Sequence, residues 1–190
     1  CLACGVAFDA RVGEEQIPTA GIRNIAAEDI AFVQSLGRVC RLTAQASFDA
    51  GALRAAVEPS LVRPASPEAG VALNLNLAWY EGALGGRRSF AGQGAGGLPT
   101  ASNVALDLQD ILAGRRHMFS EALAPARVEN EALYRRYLLC LPEEADVPFA
   151  AEREETRGGR RYRITRPARV EHVHEVMKKI DGAFFAGIEE

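Results

Sequence analysis

The stretch from Gly92 to Ile111, GQGAGGLPTASNVALDLQDI, puts four glycines into six residues and runs straight into a Pro-initiated amphipathic helix. Glycine in ordered structure costs about 1 kcal/mol against alanine, so a cluster persists mainly where the backbone needs positive φ or another molecule comes close. The chain is therefore expected to present this loop to a ligand, between a strand and a helix. Gly92, Gly94 and Gly97 satisfy G-x-G-x-x-G, the dinucleotide fingerprint. The context argues against a self-contained nucleotide fold. Such a unit needs a second parallel strand ending in an acidic residue about 20 residues on, and that distance falls in the helix end and a basic stretch. No Gly-Lys-Ser/Thr follows, so the P-loop reading fails as well. A glycine-rich strand-to-helix corner used only for packing stays open at this level.

The 190 residues suffice for one domain with a real core, or for one and a small appendage, and fall short of a full two-domain enzyme. With 48% apolar and 25% charged residues the chain reads as folded throughout. A net charge of -3 gives no electrostatic reason to expect nucleic acid, and no apolar run of about 18 residues could span a membrane, so the expected setting is cytoplasmic. No secretory leader precedes the four cysteines, which argues against a disulfide framework. Cys1 and Cys4 make a C-x-x-C, but a redox motif wants a preceding strand and a zinc site a second pair. The two are read as small buried residues of a helix, and no metal site is expected. CLACGVAF starts as the middle of an apolar helix without a cap, so the native polypeptide is expected to begin further upstream.

Along the chain, periodicity predicts a helix within GIRNIAAEDIAFVQSLG, with Ile30, Val33 and Leu36 on one face and Gly37 as its cap. Strands are expected over 39–46 and 53–61 around a turn at 49–51. Val71 to Glu81 alternates, placing Val71, Leu73, Leu75 and Leu77 on one buried face and Asn74 and Asn76 on the other. After a turn at 82–86 and a strand at 87–91, Pro99 fits the first helical position of the next helix. That helix carries an apolar stripe of Ala101, Val104, Ala105, Leu108, Ile111 and Leu112. A linker is expected over 117–131. Beyond it come a strand at 133–141, an acidic irregular stretch at 142–155, a strand at 162–165, a helix at 168–180 and a last strand at 183–188. His172 and His174, two apart on that helix, point about 200° apart and cannot chelate one ion. They are expected at the surface or the edge of the core. With three histidines, all in the linker or the last unit, no Ser-His-Asp or Cys-His constellation can be assembled.

GQGAGGLPTASNVALDLQDI closely resembles the glycine-rich segment of homoserine dehydrogenases, usually G-x-G-A-G-G-x-P-T-A-S-x-V-x-x-D. GIRNIAAEDIAFVQSLGRVCRL is similar to the family's G-I-x-x-I-x-x-E-D-I-x-x-x-x-x-L-G-x-x-x-K-L, and VEPSLVRPASPEAGV to its V-x-P-x-L-V-x-x-x-x-P-L-A-x-V. The resemblance implies an α+β fold, a mixed sheet covered by helices, with the catalytic and dimerisation domain at 1–116 and a small degenerate ACT-like β-α-β unit at 132–190. It implies the C-terminal portion of an NAD(P)-dependent oxidoreductase that interconverts aspartate semialdehyde and homoserine, in threonine and methionine biosynthesis. The glycine loop would close over the nicotinamide end of a cofactor held by a preceding domain, with Gly96 as the contact and Gly94, Gly97 and Thr100 beside it. Bare N–H groups at a helix N-terminus suit a polar ligand.

Some features depart from the pattern. The family's catalytic Asp and Lys should fall just before Cys1, so no catalytic residue is assigned, no NAD(P) is expected on this chain alone, and no turnover of aspartate semialdehyde with NADPH is expected from it. Ala26 stands where the family usually has a capping Thr, at about 1 kcal/mol. ALNLNLAWYEG replaces a G-x-x-N-A motif, and PEEADVPFAAEREETRGG replaces the turn and first helix that cradle an effector in ACT modules. Small-molecule substrate and cofactor in the full-length enzyme, and a second copy in a homodimer, are the implied partners. A non-enzymatic amino-acid-binding or oligomerisation module of the same architecture is the alternative.

Overall fold

The computed structural model describes residues 1–115 and 123–189; the part of the expected linker from 117 to 122 lies outside the described residues. In chain order the elements are α1 (Leu2–Phe8), β1 (Ala10–Arg11), α2 (Ala27–Ser35), β2 (Val39–Asp49), β3 (Ala52–Val62), β4 (Leu75–Gly82), β5 (Gly86–Gln93), α3 (Gly97–Leu112), β6 (Ala124–Pro125), β7 (Arg127–Val128), β8 (Tyr134–Arg135), β9 (Tyr137–Pro142), β10 (Ala151–Arg157), β11 (Arg160–Thr165), β12 (Ala168–Arg169), α4 (Val170–Met177) and β13 (Phe184–Ile188). The architecture is α+β with a mixed sheet, as expected. Its elements group into two compact units, one of 1–64 with the described part of 119–190, the other within 65–118.

The first unit is built on the β2–β3 hairpin, paired in register from Val39↔Val62 to Asp49↔Ala52. Its two-residue turn holds Ala50 at φ +50 and Gly51 at φ +76, the primed geometry that matches strand twist. β3 is buried along almost its whole length because sheet continues on its other side. The order runs β10-β11-β9-β13-β3-β2, and β7 also pairs with β3. β13 lies parallel to β3, pairing Gly187 with Ser60, and antiparallel to β9. The compact units therefore do not divide at the boundaries expected from the sequence. Residues 132–189 share one sheet with the β2–β3 hairpin, and β6 and β7, inside the expected linker, pair with β1 and β3.

On one side of this sheet Val170, Val173 and Met177 of α4 pack with Tyr137, Leu139, Leu141 and Phe185. Val147 and Phe149, from the stretch between β9 and β10, enter the same core, and the Arg163 guanidinium donates to both of their carbonyls. On the other side Phe32 and Val33 of α2 meet Leu61, Leu138, Cys140 and Tyr162, with the Phe32 and Tyr162 rings stacked 4.0 Å apart. α2 opens without a side-chain cap at Ala26, so one bond of the usual reciprocal pair remains, Ala26 N–H to Asp29 Oδ2 at 2.9 Å. Gly37 closes the helix at φ +67.

The second unit pairs β4 with β5 from Leu75↔Gln93 to Gly82↔Gly86 and follows them with α3. Two expectations shift here. The strand starts at Leu75, not Val71, and Leu73 is fully exposed at φ +55. α3 begins at Gly97, so Pro99 is its third residue, still within the first turn where a missing N–H breaks no helical bond. No described residue from 65 to 115 is buried. The alternation read from 71 to 81 is present as strand pairing only from Leu75 on, and it covers no core.

Candidate functional site

The glycine loop lies between β5 and α3. Asn74 and Asn76, two positions apart on the approach to β4 and within it, hold it in place. Asn74 Nδ2 donates to the Ala95 carbonyl at 2.8 Å, and the Asn74 carbonyl accepts from Gly94 N–H at 2.7 Å. Asn76 lies against Gly94 so closely that a Cβ there would fall 1.8 Å from its Nδ2. A side chain at Gly94 would push the exposed Asn76 amide aside. Gly96 is a glycine by conformation: as the residue that caps α3 it has φ +115 and ψ 156, a region essentially restricted to glycine.

Gly97 opens the helix with nothing within 4 Å of its Cβ position, and the Thr100 N–H closes the first turn onto the Gly96 carbonyl at 3.1 Å. No side chain caps α3. Its first N–H groups, which lack helical partners, therefore face outward beside bare glycine backbone, with the positive end of a 16-residue helix behind them. A negatively polarised or amide-bearing group meets donors there and no Cβ in the way. Gly94, Gly96, Gly97 and Thr100, the residues singled out from the sequence, stand at this corner between β5 and α3. Asn74 and Asn76 are what sequence reasoning missed, although their alternation with leucines was visible.

Below the loop, the hairpin is braced by Arg87, whose guanidinium lies 4.0 Å over the Trp79 ring and donates to Glu68 Oε1 at 2.7 Å. Burial alone would raise the Glu68 carboxyl, but the hydrogen bonds it accepts and the Arg87 charge outweigh that and hold it below its ordinary value.

Of the other residues singled out from the sequence, Cys1 is exposed and Cys4 buried in α1. Burial pushes the Cys40 thiol up to about 11, and raises that of Cys140 further. His172 is exposed, its ring edge-on to Phe149. His174 departs from expectation: it is buried, and its Nε2 lies 2.7 Å from Glu58 Oε2, because α4 turns this face onto β3. The Tyr137 hydroxyl meets the same carboxylate, and its pKa is raised by burial and by that negative charge, so it stays a donor.

The family model for homoserine dehydrogenase matches residues 1–109. The chain belongs to the homoserine dehydrogenase family. It is 36% identical over 115 residues to the homoserine dehydrogenase of Synechocystis, matching 58% of this chain and 27% of that protein. Against that of Corynebacterium glutamicum it is 33% identical over 129 residues, 65% of this chain and 28% of the other. The matched stretch thus spans about a quarter of the curated homoserine dehydrogenases. Among solved structures, a homoserine dehydrogenase from Thiobacillus denitrificans superposes with a TM-score of 0.73 at 21% identity, over 100% of this chain and 51% of that one. One from Staphylococcus aureus gives 0.66 at 18%, with the same coverage. Both likenesses are of fold. No helix among the described residues is long and apolar enough to cross a membrane.

Proposed function

We propose that this chain is the C-terminal portion of an NAD(P)-dependent, cytoplasmic homoserine dehydrogenase, which interconverts aspartate semialdehyde and homoserine towards threonine and methionine. Its part in the reaction is a wall for the nicotinamide end of the cofactor. The observation that carries this reading is Gly96 at φ +115 beside the uncapped start of α3, with Gly94 lying against the Asn76 side chain. Gly96 would contact the cofactor, with Gly94, Gly97 and Thr100 keeping the backbone open around it. The cofactor supplies the hydride; these residues bind, orient and exclude water. The chain alone carries no assigned catalytic residue and is expected to show no turnover.

The test uses the full-length protein that contains this chain, assayed with aspartate semialdehyde and NADPH or NADH. Gly94→Ala should displace Asn76 and raise the KM for the cofactor at least tenfold while the KM for aspartate semialdehyde changes little. An unaltered cofactor KM would remove the loop from the site, and a full-length protein without activity would sink the enzyme reading.

A homodimer is part of the same proposal. It is supported by the exposed face of α3, where Leu98, Val104, Leu108 and Ile111 are 55% to 87% accessible, an apolar strip of the kind that marks an interface. Sedimentation of wild type and of Leu108→Asp with Ile111→Asp should give a dimer and a monomer respectively.

The order β10-β11-β9-β13, second, third, first and fourth of the strands that the last segment gives to the large sheet, is one observation in favour of an ACT-like, amino-acid-binding origin. The stretch 143–150, with Val147 and Phe149 committed to the core, favours an effector-insensitive remnant. Titration calorimetry with threonine should show no saturable heat; saturable heat would restore the binding-module reading.

A further inference from the structure

Glu58, in the middle of β3, is completely buried, and every hydrogen bond to its carboxylate comes from residues beyond 132 among those described. Arg135 Nη1 donates to Oε1 at 2.8 Å, the Tyr137 hydroxyl to Oε2 at 3.0 Å, and His174 Nε2 faces Oε2 at 2.7 Å. Room for the carboxylate is made by Gly187 of β13, where a Cβ would stand 2.9 Å from Oε1. A glycine within a strand marks this kind of close approach. The network continues outward through Arg135 Nη2 to Gln45 Oε1 at 2.6 Å, and from Gln45 Nε2 to Glu189 Oε1 at 2.7 Å. Phe185 covers the His174 ring edge-on, with centroids 4.9 Å apart. The other nitrogen, Nδ1, is buried without a partner. A proton there would be a buried N–H with no acceptor, whereas on Nε2 it completes the third bond to Glu58.

A second buried acid repeats the pattern on the opposite face. Asp29 of α2 is completely buried and is held bidentately by Arg160 of β11, Nε to Oδ1 at 2.8 Å and Nη2 to Oδ2 at 3.0 Å. Both acids belong to the stretch that the family model covers, and both take their cation from outside it. Neither could remain buried and charged if the last segment came away.

We propose that Glu58, loaded by Arg135, Tyr137 and the Nε2–H tautomer of His174, is a buried keystone that makes residues 132–189 fold and unfold only together with the β2–β3 hairpin. The C-terminal segment is then a permanent part of the sheet and does not swing open on it as a module. Asp29 and Arg160 form the second fastening.

Hydrogen exchange of the intact chain under increasing denaturant tests this. Slow amides of β3 and of β9 and β13 should merge into a single opening with one denaturant dependence. Tyr137→Phe, which removes one hydroxyl, should speed exchange in both groups by the same factor, about tenfold. Long-range 1H–15N spectra of histidine-labelled protein should show His174 protonated at Nε2. Opening of β9 and β13 while β3 stays protected, a Tyr137→Phe effect confined to residues 132–189, or a proton on Nδ1 would each overturn the proposal.

Discussion

Gly96 and Ala50 both sit at positive φ, with opposite consequences. At Gly96, φ +115 is open to glycine and strained for any other residue, so Gly96→Ala carries a backbone cost of about 1–3 kcal/mol. In the full-length protein it should weaken cofactor binding, read as a raised Kd in fluorescence titration, with little change in the stability of the first unit. The thiols give a second prediction. Cys40 ionises only near 11 and Cys140 is raised further by deeper burial. Alkylation of Cys40 by iodoacetamide should therefore be slow at pH 8 and rise about tenfold per pH unit towards 11, while Cys140 stays protected; mass spectrometry of the adducts checks both. Because folding holds the Cys40 thiol protonated above its ordinary value of 9.0, stability falls as pH rises from 9 towards 11, where the unfolded chain is ionised and the folded one is not. Gly96 was legible in the sequence because conformation alone demands glycine there. Glu58 and His174 were not, since their meaning lies in 116 residues of separation and appears only when α4 meets β3.

At the scale of elements, short-range patterns read well and long-range ones did not. The β2–β3 hairpin was visible because an apolar run, a turn and a second run follow one another directly. Its turn is also improvable. Ala50 at φ +50 precedes Gly51 at φ +76, the places that an Asn-Gly pair fills best. Ala50→Asn should raise stability by about 0.5–1 kcal/mol, measurable as a shift in the urea midpoint at unchanged slope. The strand expected from Val71 misled for a definite reason. Alternation states only that two faces differ, and in β4 neither face is covered among the described residues. Of the acidic stretch expected to be irregular, 143–150 is so, while its end joins the edge strand β10, where Arg153 pairs with Glu155 and Glu154 with Arg163 of β11. Charged edges of this kind discourage further strand pairing.

In the whole molecule, burial is divided unevenly. All three core clusters draw on residues of the first unit, and the second, a two-stranded hairpin and one helix, has no buried residue among those described. Such a unit is marginal by itself. Trp79, the single tryptophan, reports on it alone. Its fluorescence should change at lower denaturant than the far-ultraviolet signal of the first unit. That first transition should move up with protein concentration, as expected if a second copy completes the unit; coincident, concentration-independent transitions would count against it. The family was legible from three segments of the first 115 residues, because local motifs survive in sequence. The single sheet was not, because strand order is set by register between segments more than 100 residues apart.

β13, the last strand in the chain, occupies an inner place in that sheet, between β3 and β9. During synthesis the hairpin and the β9–β11 strands emerge first, and residues 184–188 later close the edge of β9 at 137–140 and the end of β3 at Ser60 and Leu61, whose start pairs with β7. Pairing over so long a loop is slow. A growing chain thus carries two unsatisfied strand edges until nearly all of its described length has left the ribosome, and ribosome stalling before residue 184 leaves a sheet in two halves, ready to pair with the wrong neighbour.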